Sequence, residues 1–196
     1  LHPRVRRQRQ MCIRDSNRCN IRGGRVVIRI LQVVNIMDRA GLETMLMNYY
    51  RNIDRTQVQF DFLTHRDTPG VYEDEIKKMG GRIYRAPRLY PQNYPKYFLF
   101  MKNFFREHPE YQIVHAHIDT MSAFPLYVAK KAGIPFRIGH SHSSKLDHDA
   151  KLPIKYIAKL LMPREANIYC ACGEKAAQFM LSLIHISEPT RHSLIS

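Results

Sequence analysis

RVVIRILQVVNIMDRAGLETMLMNYYRNI, residues 25–53, is the stretch on which the fold turns. Residues 25–34 carry aliphatic side chains at odd and even positions alike, where a strand with one wet face would alternate apolar with polar. Such a run is buried on both faces, as the central strands of parallel sheets are when helices cover each side. The loop NIMDRAG follows, and then Leu42, Met45, Leu46 and Tyr49 recur at the spacing that gives a helix one apolar side. A doubly buried strand, a short loop and an amphipathic helix make the first half of a β-α-β unit.

The pattern repeats along the chain. VQFDFLTH (58–65) alternates as a second strand, VYEDEIKKMGG (71–81) is a short helix closed by glycines, and RIYRAP (82–87) is a third strand stopped by Pro87. After the loop RLYPQNYP, KYFLFMKNFFREH (96–108) is a helix whose broad aromatic face belongs in a core. YQIVHAH (111–117), PFRIGHSH (135–142) and NIYCAC (167–172) are three further strands. Between and after them, MSAFPLYVAKKAG (121–133), LPIKYIAKLLM (152–162) and GEKAAQFM (173–180) are helical. Six such repeats specify an α/β fold, a Rossmann-like doubly wound parallel sheet with right-handed crossovers. In these sheets ligands lie beyond the carboxyl ends of the strands, near the switch in strand order.

Both ends of the 196 residues stand outside this pattern. QMCIRDS (10–16) and LSLIHI (181–186) are in-frame translations of one short DNA element read on opposite strands, an element that resembles the transposase mosaic end of sequencing libraries. RRQRQ before the first copy and SEPTR after the second fit its adapter arms. Residues 1–16 and 181–196 are therefore expected to be translated adapter. Residues 17–25 are expected to be an upstream leader, so that 1–25 are non-native, Val27 is a candidate GTG start and 26–180 form one domain.

Composition bounds the partners. The whole chain has a formal charge of +14, but residues 1–25 hold eight Arg and one Asp, and 181–196 one Arg and one Glu. Residues 26–180 keep 22 basic and 15 acidic side chains, a net +7, which argues against a nucleic-acid partner and suits sugar nucleotides, diphosphate lipids or a membrane face. Cys170 and Cys172, two of the chain's four cysteines, share a strand face and read as buried free thiols in a reducing compartment. No apolar run approaches the roughly 20 residues that cross a bilayer, and no secretory signal precedes the domain. The expected location is cytoplasmic, at most peripheral on the inner face of the plasma membrane.

Four strand ends carry the candidate chemistry. In NIMDRAGLE, Gly41 beside Ala40 lets backbone approach a ligand, and the helix that follows offers N–H groups to phosphate; a glycine that only turns the chain is the alternative. One glycine is not the GxGxxG of a dinucleotide site. In VHAHIDT and IGHSHSS, His115 with His117, and His140 with His142, fall on one face of neighbouring strands, so four imidazoles can gather at the carboxyl edge. They could act as bases, orient sugar hydroxyls, bind zinc with Asp119 or Asp147 nearby, or merely cap strand ends. His115 and His140 suit capping, whereas His117 and His142 lie further out and are the better functional candidates. Finally, Lys151, Lys155, Lys159 and Arg164 accompany Leu152, Ile154, Ile157, Ala158 and Leu161 at helical spacing, which gives 151–164 either a membrane-surface face or an ordinary packed face with solvated lysines.

IRILQVVNIMDRAGLETMLMNYYRNID, FDFLTH, IVHAHIDTMSAFPLYVAKKAGIPFRIGHSHSS and YCACGEKAAQFM together resemble the N-terminal half of bacterial retaining glycosyltransferases of the GT-B fold, the group-1 or family-4 type that builds exopolysaccharide, capsule and lipopolysaccharide. The resemblance spans residues 26–180. It implies a hexose transferred with retention from a nucleotide sugar to a growing glycan or lipid-linked acceptor, with no metal and no other cofactor, the leaving diphosphate taking the acceptor proton. Arg39, Ala40 and Gly41 stand where the family has a Gly-Gly pair facing the donor diphosphate and acceptor, with Ala40 in place of the first glycine. Glu43 matches an acidic residue opening the next helix. His117 matches a catalytic-site histidine after the fourth strand, His142 matches a histidine after the fifth strand in a loop lining the cleft, and Ser143 and Asp119 are further candidate substrate-binding residues. The resemblance also implies a second nucleotide-binding domain beyond residue 180, so the chain alone is expected to be inactive. A metal-dependent hydrolase using His115, His117, His140 and His142, or a non-catalytic α/β binding module, are the alternatives.

Overall fold

The computed structural model describes residues 27–145 and 152–181. The expected adapter and leader segments, Asp147 and Lys151 therefore lie outside the described residues, apart from Leu181 at the end of the last helix. The strands are β1 (Ile28–Val34), β2 (Val58–Thr64), β3 (Ile83–Arg85), β4 (Ile113–Ala116), β5 (Phe136–Ser141) and β6 (Ile168–Ala171). The helices are α1 (Gly41–Asn52), α2 (Glu73–Lys78), α3 (Tyr94–Glu107), α4 (Ala123–Lys131), α5 (Leu152–Glu165) and α6 (Glu174–Leu181), with short 3-10 turns at Pro91–Asn93 and Asp119–Ser122.

The sheet is parallel throughout and ordered β3-β2-β1-β4-β5-β6, the doubly wound arrangement expected from the repeats. Its order reverses between β1 and β4, so the crevice expected in such folds opens above those two strands. Alternation along β1 sorts the core. Leu31 and Val33 join Val114, Ala116, Tyr97, Met101, Phe104 and Leu126 under α3 and α4. Val34, on the other face, packs with Leu46, Met47, Tyr50, Phe60, Phe62 and Ile76 under α1 and α2. The aromatic face of α3 is core, as read from its spacing: Tyr97 is fully enclosed and Phe104 and Phe105 are buried. Burying such rings stabilises the fold by roughly 1.5–3 kcal/mol each.

Two polar anchors fix the sheet's amino-terminal half. Asp61, fully buried in β2, accepts from Arg29 Nε at 2.6 Å, the Tyr111 hydroxyl at 2.7 Å and the Arg82 amide at 2.7 Å. Tyr50 donates from α1 to Gln59 Oε1 at 2.6 Å, its hydroxyl pushed up to about 12 chiefly by burial. The loop between β2 and α2 folds back on the β1–α1 loop, and a Cβ on Gly70 would lie 2.2 Å from the Met37 carbonyl oxygen. That close approach is what excludes a side chain there.

One expectation is corrected. The cysteines are not a buried pair: Cys172 lies past the end of β6 and is exposed, and Cys170 is half-buried. On α5, Ala158 and Met162 are buried, Ile154 and Leu161 pack partly against the core, and Tyr156, Ile157 and Leu160 are exposed. The helix packs along one side and leaves those three apolar side chains in solvent. Among the described residues no helix is long and apolar enough to cross a membrane.

Candidate functional site

Parallel strands deliver their carboxyl ends to one edge, and there the loops after β1, β2, β3, β4 and β5 surround a cleft of about 280 Å³. Asn35, His65, Arg66, Arg88, Tyr90, His117, Asp119 and Ser143 are among its walls, together with Lys145 and Lys155. Among the described residues of the wall, Arg66, Arg88, Lys145 and Lys155 are basic and Asp119 is acidic, with Arg88 also paired to Asp67 at 3.5 Å, a balance that favours an anionic ligand.

Strand alternation brings all four imidazoles onto the sheet face opposite α3 and α4, as the spacing implied. The ring centroids of His115 and His117 are 3.9 Å apart, those of His140 and His142 4.2 Å, and His115 stacks on His140 with 7° between planes. His115 Nε2 is 3.2 Å from His140 Nδ1, and His117 Nδ1 is 3.2 Å from His142 Nε2. Gln32, buried in β1, accepts from His117 Nε2 at 2.8 Å. That bond puts the His117 proton on Nε2 and leaves Nδ1 to accept from His142. The order expected from the sequence is reversed for one ring: His117 is the most enclosed of the four, at 3% exposure, while His115, His140 and His142 are half-buried. A residue one step past the strand here turns inward because Gln32 offers it a partner across the β1–β4 seam.

Burial is the first cause of every histidine shift in the cluster. It holds His115 down to about 3 and His140 to about 4, with neighbouring imidazoles adding to the effect, and His117 well below the ordinary range. His142 is lowered too, with Asp119 pulling the other way. At neutral pH the array is uncharged, so its rings are hydrogen-bonding groups and not cations. His65, after β2, is likewise lowered to about 4 by burial and donates from Nδ1 to the Val34 carbonyl at 2.8 Å.

Asp119 is the clasp of the site. Its Oδ1 accepts from the His142 amide at 2.7 Å and the Ser143 amide at 3.1 Å, and its Oδ2 accepts from the Ser143 hydroxyl at 3.1 Å. It does so from a left-handed backbone, φ +48°, unusual for a residue with a Cβ. The carboxylate thereby ties the β4 end to the β5 end.

Of the residues nominated from the sequence, His117, Asp119 and Ser143 meet at the cleft, and His142 reaches it through His117. Arg39, Ala40 and Gly41 do not; they line a separate shallow depression with Thr44, Met45, Asn48 and Tyr49 at the start of α1. Glu43 lines neither; it is buried in α1 with its carboxyl raised first by that burial. Gly41 has neither a positive φ nor any atom within 4 Å of an added Cβ, so the turn itself does not require a glycine. The sequence reading passed over Gln32, His65, Arg66, Arg88, Tyr90 and Lys145. His65 follows β2 directly and the strand-end rule points to it; Gln32 is the polar residue inside an otherwise apolar half-strand; Arg88 and Tyr90 arrive through an irregular loop that leaves no periodic signal.

The array also has metal-compatible geometry, with His117, His140 and His142 offering donor atoms within 4.8 Å of one another, and His115, His140 and Cys170 doing the same.

With the geometry in view, known proteins give it a context. "Putative glycosyltransferase EpsF" of Bacillus subtilis (strain 168) is 35% identical over 170 residues, covering 85% of this chain. The chain is similar to a bacterial glycosyltransferase. It spans 44% of that relative's length. Two crystal structures of Anabaena Alr3699/HepE share the fold, one in complex with UDP at a TM-score of 0.58 and 14% identity, the other in complex with UDP and glucose at 0.56 and 12%. Each aligns with 79% of this chain, which covers 40% and 41% of the respective HepE chains. No family model matches the chain. The expected Rossmann-like sheet stands, and the similarity does not favour the hydrolase and binding-module alternatives.

Proposed function

We propose that this chain is the acceptor-side domain of a GT-B glycosyltransferase that moves a hexose, with retention, from a nucleotide sugar to a growing glycan or lipid-linked acceptor in surface polysaccharide synthesis. The observation that carries the reading is the 35% identity to EpsF across 170 residues that include every strand end around the cleft. Arg66, Arg88, Lys145 and Lys155 supply the positive field for a phosphate-bearing substrate. His117, uncharged and held by Gln32, is a poor proton reservoir at neutral pH, but its Nδ1 is a well-oriented acceptor for a sugar hydroxyl that displaces His142 from it. The acceptor proton then leaves with the departing diphosphate, and neither a metal nor another cofactor takes part. Gly41, with open space around it, lets the N-terminus of α1 approach donor phosphate once a second lobe brings the nucleotide in. Arg39 and Ala40 line that approach, and Glu43 supports the first turn of α1 from within.

The exposed Tyr156, Ile157 and Leu160 on α5, among lysines 155 and 159, suit a peripheral position on an anionic membrane, where a lipid-linked acceptor resides. Because the matched stretch spans only 44% of EpsF's length, we expect no sugar transfer by these 196 residues alone. The test is a titration of the isotope-labelled chain with a short-chain prenyl-diphosphate monosaccharide, run beside a transfer assay with UDP-glucose. Amide shifts at Asn35, His65, Asp119 and Ser143, weakened by Arg88→Ala, with no transfer, are the expected result. Shifts confined to other surfaces, or transfer by the chain alone, would overturn the respective halves of the proposal.

A further inference from the structure

The imidazole array has a property that sugar recognition does not need. Two His-x-His segments on adjacent parallel strands place donor nitrogens face to face, and tetrahedral zinc, with Zn–N bonds of about 2.0–2.1 Å, holds its ligand nitrogens about 3.3–3.4 Å apart. His117 Nδ1 and His142 Nε2 are already 3.2 Å apart, and His140 brings a third nitrogen within 4.8 Å. Rotation of half-buried side chains closes that remaining distance without moving the sheet.

We propose that His117, His140 and His142 form a binding site for one divalent ion of the zinc class. Three features favour this triad. Gln32 accepts from His117 Nε2, so the lone pair on Nδ1 faces the site, the same outer-shell arrangement by which metal-bound histidines are oriented. Asp119 pins the backbone at His142 through its amide. His117 opens on the cleft, which supplies an entry path and room for a water as fourth ligand. The rival triad of His115, His140 and Cys170 shares His140, so one ion cannot occupy both, and among the described residues neither Gln32 nor Asp119 supports it.

The site is distinct from a hydrolytic centre. Its consequence, which rests on the proposed role of His117, is inhibition: a ring whose Nδ1 is coordinated cannot offer that atom to a sugar hydroxyl, so ion and acceptor exclude one another.

The binding itself is tested without any activity assay, on the 196-residue chain. Zinc is titrated in competition with a chromophoric chelator, and cobalt(II) is added to a parallel sample for its visible spectrum. One ion per chain is expected, with the intense d–d bands of four-coordinate cobalt and no thiolate charge-transfer band. His140→Ala should weaken zinc at least about 100-fold and Gln32→Leu about 10- to 100-fold, while Cys170→Ser leaves it unchanged. Far-UV circular dichroism checks that each variant folds; should His140→Ala unfold, the cobalt spectrum of the unaltered chain decides. Equal binding by the unaltered chain and a folded His140→Ala, weak six-coordinate bands, or a thiolate band that vanishes in Cys170→Ser would each overturn the assignment.

Discussion

Lowering the pH from 7.5 to 5.0 should destabilise this domain by an amount the buried histidines set. His65 offers the cleanest case, because it is 4% exposed and sits apart from the coupled array. Its ring donates to the Val34 carbonyl and accepts from the Tyr97 hydroxyl at 3.3 Å, and burial lowers it from 6.5 to about 4. The folded state therefore binds fewer protons than the unfolded chain between those values, so stability is fully present above about 6.5 and is lost as pH falls toward 4. At pH 5 the unfolded ring is almost wholly protonated and the folded ring mostly neutral, which costs about 2 kcal/mol from this one residue. His115 and His140 act in the same direction, but as members of one coupled set their contributions do not simply add. Urea denaturation at both pH values measures the total, and the His65 ring proton followed by NMR isolates its share. A loss under about 0.5 kcal/mol, or a His65 resonance titrating near 6.5, would refute the reasoning.

Other perturbations follow from the same contacts. Asp61→Ala leaves the buried Tyr111 hydroxyl and the half-buried Arg29 guanidinium and Arg82 amide without their acceptor and should cost about 2–4 kcal/mol in urea denaturation. Gly70→Ala should lower stability by about 1–3 kcal/mol, since its Cβ would collide with the Met37 carbonyl, whereas Gly41→Ala should be neutral or slightly stabilising in the same measurement. Asp119→Ala frees the β5 end, and amide hydrogen exchange at His142 and Ser143 should quicken about tenfold or more while core amides in β1 keep their protection.

What could be read beforehand follows the range over which each feature is encoded. Periodicity is local, so the doubly buried β1, the aromatic face of α3 and the pairing of histidines two apart were all available in the chain. The register that sets His117 against Gln32 depends on residues 85 positions apart, and with it the inversion that made the supposedly outer ring the innermost. Ile157 shows a related limit: the spacing on α5 marks apolar positions, but which of them a neighbour covers depends on where α4 lies. The basic wall of the cleft was hidden in loops, where Arg66, Arg88 and Lys145 carry no repeating signal and meet only because five strands end together.

The bond between Gln32 and His117 spans the line where the two halves of the sheet wind in opposite directions. A ring gripped from below cannot swivel to greet a visitor, so whatever enters must conform to it. Its aim was settled when the chain folded, and recognition at this edge begins with the question already posed.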